Sequence, residues 1–348
     1  MDFQLSDDQR ALRSGMRDLL GAVFDRERLR AAVERGGGVD RALWRELGAA
    51  GFFALRLPEE AGGVGLGLPE AVLLFEEAGR ALLPGPLVAT HLAAGVVKGA
   101  AEGAAVVTAA DGELPVAYLA EADAVLVGAE VLTGGTDAVP VAGGVLSGRA
   151  LEVFTAGARP VRSMDPLTPL HRVAGRAAVT ETIGAYSGAL CREGALLTAA
   201  EQLGSAERTT EMAVQHAGAR EQFGSLIGSF QAVKHLCADM LARTEPARSA
   251  VYAAALTADP VEIAAAKLLA DEAAVRNARD CLQIHGGMGF TWEADVHLHL
   301  KRAWLRAARW LTAAEAEEIL AADLGPVRPL HGTSAASGRR PDEAGGGG

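Results

Sequence analysis

One connection between two helical patterns reads Arg220-Glu221-Gln222-Phe223-Gly224-Ser225-Leu226-Ile227-Gly228-Ser229-Phe230-Gln231-Ala232-Val233-Lys234-His235. The helical patterns on its two sides cover residues 203–219 and 230–241. An arginine can bind a pyrophosphate through two parallel hydrogen bonds, and the first turn of a following helix offers backbone N–H donors to an anion. Taken alone, this segment favours equally a phosphate-binding connection and a plain helix–helix turn with Arg220 in solvent.

A second segment, Cys281-Leu282-Gln283-Ile284-His285-Gly286-Gly287-Met288-Gly289-Phe290-Thr291-Trp292-Glu293, closes a helix with glycines. Glycine adopts left-handed backbone conformations and allows a ligand to approach the main chain closely. Many helices end in this way, so the segment is weak evidence by itself. It lacks the glycine spacing and the preceding strand of a Rossmann fingerprint, and the chain contains no Walker sequence.

Outside these two segments, apolar residues recur at helical spacing near the beginning and the end of the chain. Ser6 and Gln9 predict a capping box ahead of a first helix, and further helices are predicted over residues 40–50 and 69–82. One apolar stripe predicts a core-facing C-terminal helix; its members are Val296, Leu300, Ala303, Trp304, Ala307, Trp310 and Leu311.

The middle of the chain has a different character. Short β-type runs at residues 105–108, 124–127 and 138–141 are separated by glycine-rich turns, and they predict a small antiparallel β domain. The predicted order is an N-terminal helical domain (1–104), a small β domain (105–175), a C-terminal helical bundle (176–324) and a disordered tail (325–348). Abundant alanine and 42 glycines suit closely packed helices with small residues at their contacts.

Together the two glycine-bearing segments resemble the acyl-CoA dehydrogenase family. The matching pattern is Arg-x-Gln-Phe-Gly-x-x-Ile-x-x-Phe-Gln, starting at Arg220, followed by Gln-Ile-His-Gly-Gly-x-Gly-Phe, starting at Gln283. The N-terminal stretches 43–48, 57–63 and 76–80 are similar to the family's N-terminal helical domain. The resemblance covers roughly residues 2–320 and implies a mainly α fold: an N-terminal helical domain, a short middle β-barrel and a C-terminal four-helix bundle.

The resemblance also implies a reaction. In the family, a carboxylate removes the α-proton of an acyl-CoA thioester while a hydride passes to FAD, which gives a trans-2-enoyl-CoA. FAD lies between subunits, so the implied partners are an acyl-CoA, a second chain of this or a related kind, and an electron-transfer flavoprotein. The implied role is fatty acid or sterol catabolism. The implied cofactor-binding residues are Arg220, Gln222, Phe223, Gln283, Gly286 and Gly287.

The chain departs from the family's pattern at two places. Between residues 105 and 174 it has no tryptophan, whereas members carry a Trp-Ile-Thr stretch that covers the flavin ring. No glutamate stands where many members place the base after the glycine turn, and none follows until Glu315. In another branch the base stands on the helix before the Arg-x-Gln-Phe-Gly segment; here Gly194 has that position and Glu193 lies one residue away.

Glu193 is therefore the candidate catalytic base, a role that requires burial to raise its pKa towards the working pH. Glu201 and Glu293 are weaker candidates. The departures leave three hypotheses open. The chain is an active FAD-dependent acyl-CoA dehydrogenase, a non-catalytic subunit that completes the FAD site of a related chain, or a member that binds an acyl carrier without redox chemistry.

Composition excludes other classes of protein. The formal net charge is −11, from 33 basic and 44 acidic residues, and no basic run offers nucleic acid the positive field that it needs. The three cysteines lack metal-ligand spacing, and His297 and His299 point to different faces of a helix, so we expect no metal site. The acidic N-terminus is unlike a signal peptide, and charged residues interrupt the apolar stretch 86–110. We therefore expect a cytoplasmic protein with no membrane span.

Overall fold

A computed structural model describes residues 4–111, 114–127, 143–173, 183–186 and 188–325 of the chain. The helices are α1 (Asp7–Val23), α2 (Arg26–Glu34), α3 (Arg41–Ala49), α4 (Leu68–Arg80), α5 (Leu87–Ala93), α6 (Gly148–Thr155), α7 (Gly188–Ala219), α8 (Gln231–Thr257), α9 (Pro260–His285), α10 (Val296–Ala307) and α11 (Ala313–Asp323). The strands are β1 (Val107–Ala110), β2 (Val116–Ala117), β3 (Ala124–Val127), β4 (Gly143–Ser147), β5 (Arg159–Val161), β6 (Leu170–Arg172), β7 (Ile183–Tyr186), β8 (Glu221–Gln222) and β9 (Ser225–Leu226). The mainly helical fold with small sheets agrees with the predicted fold class.

The N-terminal part consists of α1 to α5. The predicted capping box is confirmed, since the Ser6 side chain accepts from the backbone N–H of Gln9 and the Gln9 side chain accepts from the Ser6 N–H. The sequence pattern missed α2, so the helix predicted second is the third. The reason is that α2 is highly charged and buries only Leu29 and Ala32, which leaves too few apolar positions to show a helical period.

The central part contains two small sheets in the order β1-β3-β4-β7 and β2-β6-β5. The prediction of a purely antiparallel domain is wrong, because β1 and β3 are parallel. After β1 the chain leaves this sheet to form β2, which pairs with β6 in the other sheet. The chain then returns to the first sheet as β3, which runs in the same direction as β1. Residue patterning shows the period of a strand but not its direction. The run at 124–127 is confirmed as β3, whereas that at 138–141 lies outside the described residues.

The C-terminal part is a bundle in which α7 and α8 both pack along α9, and α4 of the N-terminal part packs across α7. Small residues at this crossing are confirmed. A Cβ on Gly79 would lie 1.9 Å from the Glu201 carbonyl oxygen, and one on Gly204 would lie 1.8 Å from the carbonyl oxygen of Glu76. Only glycine allows two helices to approach so closely. No helix that the model describes is both long and apolar enough to cross a membrane.

Buried ionic contacts join the N-terminal helices to the bundle. Glu76 and Glu77 in α4 are both buried. Glu76 accepts from Arg248 and, at 2.7 Å, from the Tyr252 hydroxyl, both in α8, while Glu77 accepts at 2.8 Å from Arg17 in α1. A buried carboxylate requires such partners. These contacts fix the N-terminal helices against the surface of the bundle.

The predicted apolar stripe of α10 is correct only in its first half. Val296, Leu300 and Ala303 are buried, whereas Trp304 is 39% exposed. The helix ends at Ala307, and Trp310 takes a left-handed conformation with a φ of 65°. The stripe's last members therefore do not continue the helix, because the chain turns there towards the β sheets.

His91 should make stability depend on pH. Its buried ring hydrogen-bonds the Phe52 carbonyl oxygen at 3.3 Å. Burial lowers the pKa of His91 to about 4 from an ordinary 6.5, an effect that Arg56 reinforces and the Phe52 hydrogen bond opposes. Below pH 6.5 the unfolded chain therefore binds a proton at His91 that the folded chain does not bind. For this reason the free energy of unfolding should fall by about 3 kcal/mol as the pH falls towards 4.

The variant His91→Gln isolates this effect from buried carboxylates such as Glu201, whose raised pKa acts in the opposite direction. Urea unfolding over the same pH range is the measurement, with the exposed His235→Gln as the control. We expect His91→Gln to lose less stability on acidification than the wild type does. Parallel curves for wild type and His91→Gln would contradict this assignment.

Candidate functional site

The two glycine-bearing segments meet at one corner of the bundle. The His216 ring near the end of α7 stacks on the His285 ring at the end of α9, with centroids 4.1 Å apart and planes at 17°. Gly286 follows His285 directly, and Arg220 lies four residues after His216, with its N–H donating to the His216 carbonyl oxygen at 2.8 Å. Burial, together with His285 and Arg220, lowers the pKa of His216, which favours a neutral ring in the stack. We call residues 220–230 and 283–290 the corner.

The first part of the corner is a tight hairpin of β8 and β9. Its two turn residues, Phe223 and Gly224, both have positive φ, 55° and 73°. Such a turn suits hairpins but is strained for a residue with a side chain. The Phe223 ring is 91% exposed, and it meets the Phe230 ring edge-on with centroids 6.2 Å apart. An apolar ring held in this position is suited to contact with another molecule.

The second part of the corner follows α9. Gly286 takes a φ of 59°, which ends the helix, and a short helical turn spans Gly286–Phe290. Phe290 is 79% and the following Trp292 60% exposed. The Lys301 ammonium lies 4.7 Å from the centre of the Trp292 ring, a cation–π contact. Exposed aromatic rings therefore stand on both parts of the corner.

The structure brings the six predicted cofactor-binding residues to this one corner, and all are exposed; they are Arg220, Gln222, Phe223, Gln283, Gly286 and Gly287. Among the described residues no carboxylate pairs with Arg220. A free guanidinium, two amides, unobstructed glycine backbone and an aromatic ring form a donor set that fits a diphosphate beside an adenine. The corner faces outward, so its donors are open to a ligand.

A second feature is a cavity of about 110 Å³ between the β sheets and the bundle, which we call the arginine cavity. It is lined by Gly85, Pro86, Leu87, Val88, Ala89, Thr108, Ala109, Ala117, Tyr118, Thr168, Thr198, Glu201, Arg302, Leu305, Arg306, Arg309 and Trp310. Sequence reasoning missed its three arginines. Arg302 and Arg306 lie four residues apart, within the predicted apolar stripe, and that spacing on one helix face was the available signal.

The candidate base Glu193 does not line the arginine cavity. Its carboxylate accepts from both terminal nitrogens of Arg56, at 2.7 and 3.4 Å, and each side chain is 29% exposed. Glu201, eight residues further along the same helix, does line the cavity and is buried. Burial raises the pKa of Glu201, although Arg306, which donates at 2.8 Å, opposes this effect.

Trp310 occupies the space beside Gly194, where one branch of the resembled family carries its base. A Cβ on Gly194 would lie 2.5 Å from two atoms of the indole ring. The backbone N–H of Trp310 donates to the half-buried carboxylate of Asp111, which holds the residue in place. No side chain therefore fits at position 194 while the tryptophan stays where it is.

We expect Gly194→Ala to destabilise the protein by about 1–3 kcal/mol, because the methyl group must displace the indole. Gly218→Ala is the matched control in the same helix, since nothing lies within 4 Å of a Cβ there. It should be neutral or stabilising by up to about 1 kcal/mol, the difference in helix propensity. Urea unfolding of both variants is the measurement, and equal effects would contradict the proposed contact.

The remaining polar candidates have structural surroundings. Buried His299 hydrogen-bonds Ser205 at 2.8 Å, and His297 packs edge-on against Trp292. Within the described ranges no group of three or more His, Cys, Asp or Glu side chains could hold a metal ion. None of the three cysteines forms a disulfide within the part of the chain that the structure describes, and Cys281 is buried. Glu293, the other weak candidate for a base, is exposed and lies outside the lining of the arginine cavity.

Comparison with known proteins identifies relatives along nearly the whole chain. Residues 6–105 match the N-terminal domain and residues 188–320 the C-terminal domain of acyl-CoA dehydrogenase. The chain is 36% identical over 303 residues to the acyl-CoA dehydrogenase IpdE2 of Mycobacterium tuberculosis (strain H37Rv), which covers 85% of this chain and 91% of that protein.

Solved structures show the same fold. The ChsE4–ChsE5 complex from Mycobacterium tuberculosis is 25% identical and superposes with a TM-score of 0.76, covering 94% of this chain and 100% of that one. The butyryl-CoA dehydrogenase of Megasphaera elsdenii is 20% identical, with a TM-score of 0.76, and covers 93% and 100% of the two chains. At this identity the second likeness establishes the fold alone.

Proposed function

Because the chain belongs to the acyl-CoA dehydrogenase family, whose members are oxidoreductases, we propose that it serves in the FAD-dependent dehydrogenation of an acyl-CoA thioester to a trans-2-enoyl-CoA. The observation that carries this proposal is the corner, where the His216–His285 stack brings the two matching segments together. Residues far apart in the sequence thus form one outward-facing surface with the chemistry that a dinucleotide requires.

In this proposal the corner holds FAD at a subunit interface. The Arg220 guanidinium binds the pyrophosphate, the amides of Gln222 and Gln283 supply further donors, and Phe223 packs against the adenine side. Gly286 and Gly287 let the backbone approach the cofactor, since a Cβ at either position would meet nothing within 4 Å. Bound FAD would supply the hydride acceptor for the dehydrogenation, and an electron-transfer flavoprotein would be the partner that reoxidises it.

The corner also implies a second chain, because its aromatic rings are exposed in the single chain. The solved ChsE4–ChsE5 structure is of a complex of two named components, which supports a heteromer with a related acyl-CoA dehydrogenase chain as well as a homo-oligomer. The name of IpdE2 specifies an acyl-CoA dehydrogenase, which supports an acyl-CoA substrate for this chain. A role in fatty acid or sterol catabolism is proposed on the family resemblance alone.

A second candidate function is that of a non-catalytic subunit that completes a partner's FAD site. Two observations favour it. Trp310 fills the space beside Gly194, so no base stands at that position, and Arg56 engages the Glu193 carboxylate. Under this alternative the corner acts as described, while the reaction takes place in the related chain.

The flavin absorbance of the purified protein tests the main proposal. We expect a yellow protein, either when the chain is expressed alone or when it is co-expressed with a related acyl-CoA dehydrogenase from the same genome. Reduction of an electron-accepting dye by this preparation when an acyl-CoA is added then shows the dehydrogenase activity. A colourless protein in both preparations, with no FAD recovered after denaturation, would rule the proposal out.

Glu193→Gln separates the two candidates in the active preparation. If Glu193 is the base, turnover should fall by roughly 10²- to 10⁴-fold, the usual contribution of general-base catalysis. If the chain is the non-catalytic subunit, turnover should be unchanged, and the flavin content should match that of the wild type. Gln215→Asn, an exposed change on the same helix, is the control for effects on folding.

A further inference from the structure

Residues 291–295, which we call the linking segment, connect the second part of the corner to α10. The helical turn of the corner ends at Phe290 and α10 begins at Val296; the structure describes all five residues between them as irregular chain. Glycine offers no side chain that could hold its own backbone in place. The conformation of Gly286 and Gly287 therefore depends on what fixes the chain at its two ends, which are α9 and the linking segment.

Helix α2 holds the linking segment through two arginines. Arg26 donates through Nε to the Asp295 carboxylate and through Nη2 to the Glu293 carbonyl oxygen, both at 2.7 Å. Arg30 donates through Nη1 to the Trp292 carbonyl oxygen and forms an ion pair with Asp295. Each guanidinium thus joins a backbone carbonyl to the same carboxylate, and its planar shape fixes the relative positions of the two acceptors.

The side chain of Asp295 is used for these contacts and not for its own helix. Asp295 is the N-cap residue of α10, a position where aspartate usually accepts from the first backbone N–H groups of the helix. In the described structure its carboxylate accepts no such capping hydrogen bond. The side chain is only 16% exposed, and it lies against the two arginines of α2. The linking segment is therefore fastened to the N-terminal helices at the expense of a helix cap.

The composition of α2 fits this role. The helix buries only two of its nine residues, so it contributes little to the core. Arg26 and Arg30 lie four residues apart, and therefore on the same helix face. Arg28, which lies between them, donates to the Val23 carbonyl oxygen at 2.5 Å and so remains within the N-terminal helices. One face of this charged helix thus contacts a segment more than 260 residues away in the sequence.

We propose that Arg26 and Arg30 are positioning residues for the flavin site of the corner. They hold the linking segment, and through it the glycine turn 286–290, in the conformation whose backbone a dinucleotide can approach. Both arginines lie outside the corner, so they act through the main chain and not by contact with the cofactor. This inference rests on the proposed function, because it concerns the same corner.

Hydrogen exchange of residues 286–295 tests whether the arginines hold the segment. It is measured by mass spectrometry on the full chain without added FAD. In the double variant Arg26→Ala/Arg30→Ala we expect exchange there to be about three- to tenfold faster, the range that partly exposed ion pairs provide. Arg28→Ala is the matched control in the same helix and should exchange as the wild type does. Unchanged exchange in the double variant would overturn the proposal.

Titration with FAD, in the preparation that carries flavin, tests the connection to the cofactor. We expect the double variant to raise the Kd for FAD by about three- to tenfold, and Arg28→Ala to leave this Kd unchanged. The urea midpoint of the cofactor-free protein is measured on the same samples. A lower midpoint together with an unchanged Kd would show that the two arginines serve stability alone, and the inference would be wrong.

Asp295→Asn removes the same ion pairs from the other side of the contact. Asparagine caps helices as well as aspartate does, so α10 should begin as before. We expect this variant to raise the Kd for FAD, and to add little to the effect of Arg26→Ala/Arg30→Ala, because all three changes break the same contacts. Fully additive effects would contradict a shared contact.

The wild type separates this inference from the proposed function. Absence of FAD from the wild type in every preparation would refute the proposed function and this inference with it. Normal FAD content in the wild type, with an unchanged Kd in Arg26→Ala/Arg30→Ala, would refute this inference alone.

Discussion

Arg220→Ala is expected to lower the affinity of the assembled protein for FAD by roughly ten- to a hundredfold. Hydrogen bonds to charged groups contribute about 1.5–3 kcal/mol, which corresponds to this range in Kd. The guanidinium is exposed and unpaired among the described residues, so its removal leaves no carboxylate stranded. The effect should therefore appear in cofactor binding and not in stability. Arg220→Lys should recover only part of the affinity, because an ammonium group cannot bind a pyrophosphate through two parallel hydrogen bonds.

The measurement is the FAD content after extensive dialysis, followed by titration with FAD monitored through quenching of flavin fluorescence. Arg276→Ala removes another exposed arginine, one that pairs only with Glu272 at 3.1 Å, and serves as the control. The unfolding midpoint of the protein without cofactor should be unchanged in both variants. Full retention of FAD by Arg220→Ala would remove this residue from the site and weaken the case for the whole corner.

Asp165→Ala is expected to destabilise the protein by about 3–5 kcal/mol, the usual cost of removing one partner of a buried ion pair. Asp165 is fully buried in the central part of the chain, and it accepts from the Nε of Arg302 in the bundle. Arg302 also donates to the Leu83 carbonyl oxygen of the N-terminal part. One guanidinium thus connects all three parts of the fold, and without Asp165 its charge is buried and uncompensated.

Urea unfolding of Asp165→Ala, Arg302→Met and the double variant measures this coupling. We expect the double variant to be more stable than Asp165→Ala, because methionine removes the stranded charge and fills much of the same space. Glu272→Ala breaks an exposed pair in α9 and is the control, for which little change is expected. A loss below about 1 kcal/mol in Asp165→Ala would show that the pair is not important for stability.

Several local features could be predicted from the sequence because they depend on neighbouring residues. The Ser6 capping box, the strand at 124–127 and the C-terminal ends of α7 and α9 follow from short-range patterns and appear as predicted. The pattern at 230–241 covers only the first half of α8, which continues to Thr257. Helix α2 was missed because a charged helix with two buried residues has almost no apolar period. The direction of β1 relative to β3 could not be predicted, because it depends on where the chain travels between them.

In the candidate site, too, the residues could be selected from the sequence, whereas their contacts with distant segments could not be predicted. The resemblance to the family was enough to select Arg220, Gln222, Phe223, Gln283, Gly286 and Gly287, but not to predict that the rings of His216 and His285 stack between their two segments. Glu193 was selected by its position along α7. Its pairing with Arg56 depends on packing between elements 137 residues apart in sequence. The roles of these seven residues in cofactor binding and catalysis stay predictions until the variants are measured.

The sequence by itself determined the family, the order of helical and β regions and the residues of the corner, because these are carried by local patterns of residue type. Only the tertiary structure decided that Trp310 fills the space at Gly194 and that Asp165 neutralises Arg302. The physical reason is that burial and pairing, which set the cost of a charge and the room for a side chain, arise where distant segments pack together.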